Sequence, residues 1–279
     1  METEKMTFSS NVLSIESNGP VGTLWLDRPE KRNAMSQEMW TGFPAAISEL
    51  GNNPDIRAVV IAGRGKSFCA GLDISSLGDT MNQSVPPSGA IANLRQMEVT
   101  RSFQDGITAI AKCPVPVIAA VHSHCVGAGI DLITACDIRL GSADSIFSVR
   151  ETRIGIVADV GTLQRLPEIV SPGHVAELAY TGKDFDAAHA ERIGLVNDVY
   201  PDVEAVQAAA LKLATEIAVN PPLAVRGTKF ILQQSENLTK EQSLMLNGLW
   251  TLATSLNSND FLEAVGAFME KRDPKFTGT

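Results

Sequence analysis

Aromatic residues are scarce, 5% of the 279, and only two are tyrosines. Hydrophobic residues still make up 44%, so the core must be mainly aliphatic. The chain is long enough for one large domain or a core with an appendage. It has no apolar run long enough to cross a bilayer as a helix. Basic residues are outnumbered, 23 Lys and Arg against 32 Asp and Glu, for a formal net charge of −9. That balance argues against general binding to nucleic acid. The opening METEKMTFSS is polar and acidic and does not read as a secretory signal, and the closing TGT is not the peroxisomal S-K-L. The expectation is a cytoplasmic protein with no membrane partner.

Cysteine is also sparse. Cys69, Cys113, Cys125 and Cys136 form no C-x-x-C pair and lie among apolar or small residues, which predicts buried free thiols. His122 and His124 would share a strand face, and His174 and His189 stand apart. With no third ligand at a recognisable spacing, structural histidines are expected and no metal. There is no Walker A sequence and no G-x-S-x-G elbow. GAGID falls short of the dinucleotide fingerprint because Leu132 stands where the third glycine is required.

What is present is an alternation of strand-like and helix-like stretches. VGTLWLD (21–27), AVVIAG (58–63) and VPVIAAV (115–121) are short apolar runs bounded by Gly, Pro or Asp. Between the first two, Met39, Phe43, Ile47 and Leu50 recur at helical spacing behind Ser36, a candidate N-cap. The pattern predicts an α/β core. The Ser-, Gly- and Pro-rich 78–90 segment reads as a mobile loop. From about residue 202 only helical patterns follow, with Pro221 and Pro222 opening one of them. The division expected is a core over 1–210 and a helical region over 211–279. The apolar faces of those helices need a partner, either the core or another subunit.

VVIAGRGKSFCAGLDI (59–74) and VIAAVHSHCVGAGIDL (117–132) share a plan of buried strand, small residues and a predicted helix start. Small residues let a ligand approach the backbone, and a helix start offers free N–H groups. Two such loops could aim two donors at one oxygen and stabilise an oxyanion; tight strand–helix packing with no ligand is the plainer reading of either loop alone.

Three acids border glycine-bearing turns close by: Asp131, Glu151 and Asp159. Each has an ordinary explanation, as a first-turn acid, a surface acid and an N-cap respectively. Glu151 and Asp159 nevertheless bracket the apolar Ile154–Ala158 stretch, which looks built for burial, and could form a proton-transfer pair in an apolar pocket.

Taken together, DRPEKRNAM, SFCAGLDI, VIAAVHSHCVGAGIDLITACDIRLGSADSIFSVRETRIGI, GTLQRLP, TGKDFDAAHAERIGLVNDVYP and FMEKRDPKF resemble the enoyl-CoA hydratase/isomerase, or crotonase, superfamily over nearly the whole chain from about residue 12. The resemblance implies an α/β spiral of repeated ββα units with a helical C-terminal oligomerisation region. It also implies a homotrimer or homohexamer and an acyl-CoA thioester as substrate, with coenzyme A part of that substrate and no separate cofactor. It places the oxyanion donors at the backbone N–H groups of Leu72 and Ala128, and the CoA-binding loop at Ala70, Gly71, Leu72, Asp73 and Ile74. A hydratase of the family would carry glutamate at positions 131 and 151 and a glycine near 159. Asp131, Glu151 and Asp159 resemble instead the branch that shifts a 3,5-diene to a 2,4-diene. There Glu151 and Asp159 would lie along the substrate chain and Asp131 would support the pocket. The alternatives are a 2-enoyl-CoA hydratase, an isomerase moving a single double bond, and a non-catalytic acyl-CoA-binding subunit.

Overall fold

The apolar runs between glycine- and proline-bearing turns become strands buried on both faces, as in a parallel sheet covered on each side. A computed structural model describes residues 7–75 and 89–279; most of the 78–90 loop expected to be mobile lies outside the described residues. β1 (Leu13–Asn18) and β2 (Val21–Leu26) form an antiparallel hairpin. β2 then pairs in parallel with β3 (Ala58–Gly63), β3 with β4 (Val117–Val121), β4 with β6 (Ile138–Ser142), and β6 with β9 (Asp198–Tyr200). A second sheet holds β5 (His124–Val126), β7 (Ile146–Ser148) and β8 (Phe185–Asp186). From β4 onward the chain steps repeatedly between the two sheets, which is the expected spiral.

Strand alternation sorts side chains between two cores. Val59 and Ile61 of β3, with Val117, Ala119 and Val121 of β4, face the larger core. Helix α1 (Gln37–Asn52) packs there through Met39, Trp40, Phe43, Ile47 and Leu50. Ser36 caps it by accepting a hydrogen bond from Met39 N at 3.3 Å. Complete burial of such side chains contributes roughly 1.5–3 kcal/mol each. Helix α2 (Ala90–Ala111) crosses α1 closely. Trp40 and Phe103 stack with ring centroids 5.1 Å apart, and a Cβ on Gly106 would overlap the Trp40 carbonyl.

The chain reaches α7 (Val203–Ala218) through the short helices α5 (Pro172–Thr181) and α6 (Ala187–Arg192), and on the opposite face Ala58, Val60 and Ala62 of β3 and Ile118 and Ala120 of β4 meet α7. Its Val206, Ala210, Ala214 and Ala218 recur every four residues, a stripe of mostly small side chains along one helix face. This helix runs unbroken through the 210/211 division expected from the sequence and belongs to the core. It ends at Ala218, within the 200–220 range where the sequence pattern turns wholly helical; apolar periodicity alone does not show which surface a helix covers. Beyond it lie α8 (Pro222–Ser235), α9 (Lys240–Trp250) and α10 (Asn259–Glu270), with the proline pair opening α8 as expected.

All four cysteines are free and buried. His122 and His124 do not share a strand face. The chain turns at Ser123, whose φ is 51°, and only His124 belongs to β5. His122 Nε2 lies 3.1 Å from the Gly65 carbonyl oxygen, and His124 Nδ1 lies 3.0 Å from Ser123 Oγ.

Helix α8 is pinned to the core by a buried cation. Lys229 Nζ donates to Asp137 Oδ2 at 2.7 Å and to the Val115 carbonyl at 3.0 Å. The same Asp137 oxygen accepts from Val117 N at 2.7 Å, at the first residue of β4. Lys229→Met should therefore leave Asp137 short of its counter-charge and cost about 2–3 kcal/mol, below the fully buried range because Asp137 retains some solvent access. Urea denaturation checks this; an unchanged midpoint would mean that the pair contributes nothing to holding the helix.

Candidate active site

The site begins where the segment after β3 lies down beside β5. Cys69 N donates to His124 O at 2.8 Å, and Val126 N donates to Cys69 O at 3.0 Å. Past that pairing, Gly71 takes φ +96°, and a Cβ there would sit 3.0 Å from the Val126 carbonyl oxygen, so only glycine fits without strain. Met35 N then donates to Gly71 O at 2.8 Å and Asp73 N to Met35 O at 3.1 Å. These bonds use the residues on either side of Leu72, as a parallel bridge requires, and leave the Leu72 N–H facing away from Met35. Ala128 is the first residue of α3 (Ala128–Thr134), so its N–H has no acceptor within the helix.

The expected CoA-binding loop divides by role. Ala70 N donates to Arg32 O at 3.0 Å. Asp73 turns its carboxylate inward, accepting from Arg28 Nη2 at 2.9 Å and from Ser75 Oγ at 2.5 Å. Those bonds, Ser75 first, hold the Asp73 carboxyl below its ordinary range. Its side chain therefore fastens the loop, while Ile74 is exposed.

Glu151 opens a 3₁₀ turn (Glu151–Ile154) and is buried. A Cβ on Gly127 would lie 3.2 Å from Glu151 Oε1 and 3.9 Å from Gly71 Cα, so this carboxyl stands beside both small-residue loops. Glu151 Oε2 is buried with no hydrogen-bond partner among the described residues. Burial, reinforced by the charges of Asp131 and Asp159, raises the Glu151 carboxyl to about 7.

Asp131, in the first turn of α3, is also buried, and its carboxyl is raised to about 6, chiefly by burial. Asp131 Oδ1 accepts from both the backbone N and Oγ1 of Thr162, each at 2.7 Å. It thus caps α4 (Thr162–Ile169) from another segment. The ordinary alternative for Asp159, a cap on that helix, is thereby removed. The N-cap residue is Gly161, and Asp159 is exposed between the buried Ala158 and Val160.

The structure thus brings Glu151 against the two loops and sets Asp131 behind them, holding the start of the helix that follows Asp159. It does not bury the apolar stretch between the acids. Ile154, Ile156 and Val157 are exposed on the single chain, Val157 at 68%, and only Ala158 is inside. Gln104, Thr162 and Arg165 were not legible as site residues. Gln104 Nε2 donates to the Asp159 carbonyl at 2.7 Å from α2, and no local pattern announces a contact between segments so far apart in sequence. Among the described residues, no group of three or more His, Cys, Asp or Glu is arranged to hold a metal ion.

A two-sheet spiral carrying two small-residue loops with a buried carboxyl beside them is an arrangement that known proteins share. The chain belongs to the enoyl-CoA hydratase/isomerase family, whose model matches residues 16–279. It is 41% identical over 266 residues to the peroxisomal Δ3,5-Δ2,4-dienoyl-CoA isomerase of Arabidopsis thaliana, covering 95% of each chain. It is 41% identical over 266 residues to the mitochondrial enzyme of that name from Dictyostelium discoideum, covering 95% of this chain and 90% of the other. Among solved structures, an enoyl-CoA hydratase from Bacillus anthracis superposes with a TM-score of 0.85 at 26% identity, over 96% of this chain and all (100%) of that one. One from Mycobacterium tuberculosis H37Rv gives 0.83 at 29%, over 97% and 100%. The compartments in the relatives' names differ from the cytoplasmic expectation. Among the described residues no helix is long and apolar enough to cross a membrane.

The raised Glu151 carboxyl has a measurable cost. Between the ordinary value of 4.5 and about 7, the folded protein binds this proton more tightly than the unfolded chain does. Stability from this group is therefore full at low pH and lost as pH rises through that window. Glu151→Gln, neutral throughout, should be more stable than the parent at about pH 8 by roughly 1–3 kcal/mol, with the gain vanishing near about pH 4. Denaturation at both pH values checks this; a variant less stable than the parent at the higher pH contradicts it.

Proposed function

We propose that the protein is a Δ3,5-Δ2,4-dienoyl-CoA isomerase, acting by proton transfer through a dienolate held at an oxyanion site. The observation that carries this reading is the placement of Glu151 against Gly127, one residue before the Ala128 donor, with a second acid at Asp159. The thioester carbonyl acidifies C2, the carbon next to it. An acid beside the oxyanion donors is therefore the one suited to C2, and this assigns C2 to Glu151 and C6 to Asp159.

In the proposed step the thioester oxygen accepts hydrogen bonds from Leu72 N–H and Ala128 N–H. Ionised Glu151 removes the C2 proton. The released pair forms the C2–C3 double bond, the C3–C4 pair moves to C4–C5, and the C5–C6 pair takes a proton from Asp159. Each donor of such a site is worth about 2.7–4 kcal/mol of transition-state stabilisation. Asp131 supports the pocket through Thr162 and, when charged, raises Glu151. A carboxyl near neutrality can give or take a proton at working pH. No cofactor enters the scheme beyond the coenzyme A of the substrate.

The reading extends to assembly as a homotrimer or homohexamer. Its support is the apolar surface of the terminal helices, including Leu244 at 66% and Phe268 at 85% exposed, which a lone chain would leave in water. A cytoplasmic location also belongs to the reading, and cell fractionation tests it against the organelles in the relatives' names.

Incubation with 3,5-dienoyl-CoA and with 2-enoyl-CoA separates isomerase from hydratase and from a binding subunit. Glu151→Gln should abolish exchange of C2 hydrogen with solvent deuterium. Asp159→Asn should lose diene migration by about 10²–10⁴-fold while keeping C2 exchange in part. Near-normal migration in Asp159→Asn would remove the dienoyl assignment. For assembly, light scattering at micromolar concentration should give a trimer or hexamer; a monomer excludes both.

A further inference from the structure

The turn carrying Asp159 is held from several sides, and one side chain joins most of them. Arg165, one turn into α4, folds back so that Nη1 donates to the Val160 carbonyl at 3.4 Å, while Nη2 donates to Thr108 Oγ1 of α2 at 3.1 Å. One helical turn before Thr108, Gln104 grips the Asp159 carbonyl. The guanidinium lies so close over the turn that a Cβ on Gly161 would overlap Nη1, and Gly161 has φ +128°. Glycine is required there both for backbone conformation and for room. The acids facing the guanidinium come from three elements: Asp131 from α3, Glu168 from α4 itself, and Glu236 at the end of α8.

We infer that Arg165 is a positioning residue that clamps the 159–161 turn to α2 and so fixes where Asp159 stands along the substrate chain. The inference rests on the isomerase reading above. The two acids must meet C2 and C6, so their separation is the geometric variable that reaction depends on. Glu151 is fixed by the Gly127 loop. Asp159 is exposed, on a turn whose position depends on α2 and α4. The planar fork of arginine reaches a carbonyl on one side and a hydroxyl on the other; the single ammonium of lysine does not reproduce that geometry. Misplacement of a reacting group by about 1 Å can cost about 10²-fold in rate.

The test compares Arg165→Met, Arg165→Lys and the milder Thr108→Val with the parent, measuring diene migration and C2 hydrogen exchange on the same samples. Arg165→Met should slow migration by about 10–100-fold with C2 exchange within about threefold. Arg165→Lys, which keeps the charge beside Asp131, should show nearly the same split. Thr108→Val should show a smaller split in the same direction. Equal losses in migration and exchange, no loss in either, or full activity in Arg165→Lys would each overturn the inference, the last by showing that charge alone matters. Amide hydrogen exchange supplies a readout independent of the reaction. Arg165→Met should lose protection over residues 159–164 while the sheet strands keep theirs; unchanged protection over that turn overturns the clamp. A parent protein that exchanges C2 hydrogen without moving the diene would instead overturn the isomerase reading, leaving the amide exchange to judge the clamp.

Discussion

Two backbone hydrogen bonds, Cys69 N–H to His124 O and Val126 N–H to Cys69 O, align the segment after β3 with β5, and the site is built outward from them. They set Gly71 against Val126 and bring Gly127 near Gly71. They also leave so little room that a Cβ on Gly129 would stand 3.2 Å from both Cys125 Sγ and Cys69 Cβ. The small residues of both loops are thus a steric requirement of one pairing. The same burial explains the cysteines. The Cys69 thiol is pushed up to about 12, chiefly by desolvation, so it packs as a small apolar group and has little thiolate to act as a nucleophile.

Electrostatics around that pairing is arranged unevenly. Asp131 is buried but compensated by two bonds from Thr162 and by the charge of Arg165. Glu151 is buried with one oxygen unpartnered among the described residues and two acidic neighbours raising it further. A purely structural carboxylate in such surroundings would normally acquire a donor. Leaving it bare sacrifices stability for a group whose proton is easily exchanged, as expected where perturbed acids serve chemistry.

Local patterns were legible where local physics decides them. AVVIAG became β3 over the same residues, and Ser36 with its apolar spacing became the cap and face of α1. Motif resemblance carried the spiral of strands and the family. What escaped depends on distant segments meeting. Asp131 and Thr162 meet only once α3 and α4 have packed, so no local pattern marks Asp131 as the cap of α4. Ile154–Ala158 reads as internal because its composition is apolar, yet the turn after Glu151 leaves Ile154, Ile156 and Val157 outside and only Ala158 inside. The helix that crosses residue 210, α7, shares the helical pattern of its successors while lying on the sheet. Apolar periodicity shows that a helix has a face and is silent on what that face meets.

That contrast between α7 and the helices after it has a dynamic consequence. Neither apolar core contains a buried residue beyond Ala218 among those described. The later helices are tied to the core by polar pins: Lys229 to Asp137, Gln233 to the Ala111 carbonyl, and Arg57 reaching from the core to the carbonyl of Phe276. Pins of this kind break one by one with little apolar surface to re-expose. On a single chain the C-terminal helices are therefore expected to open as a unit of their own, below the free energy of global unfolding, and assembly through their exposed apolar faces would close that route.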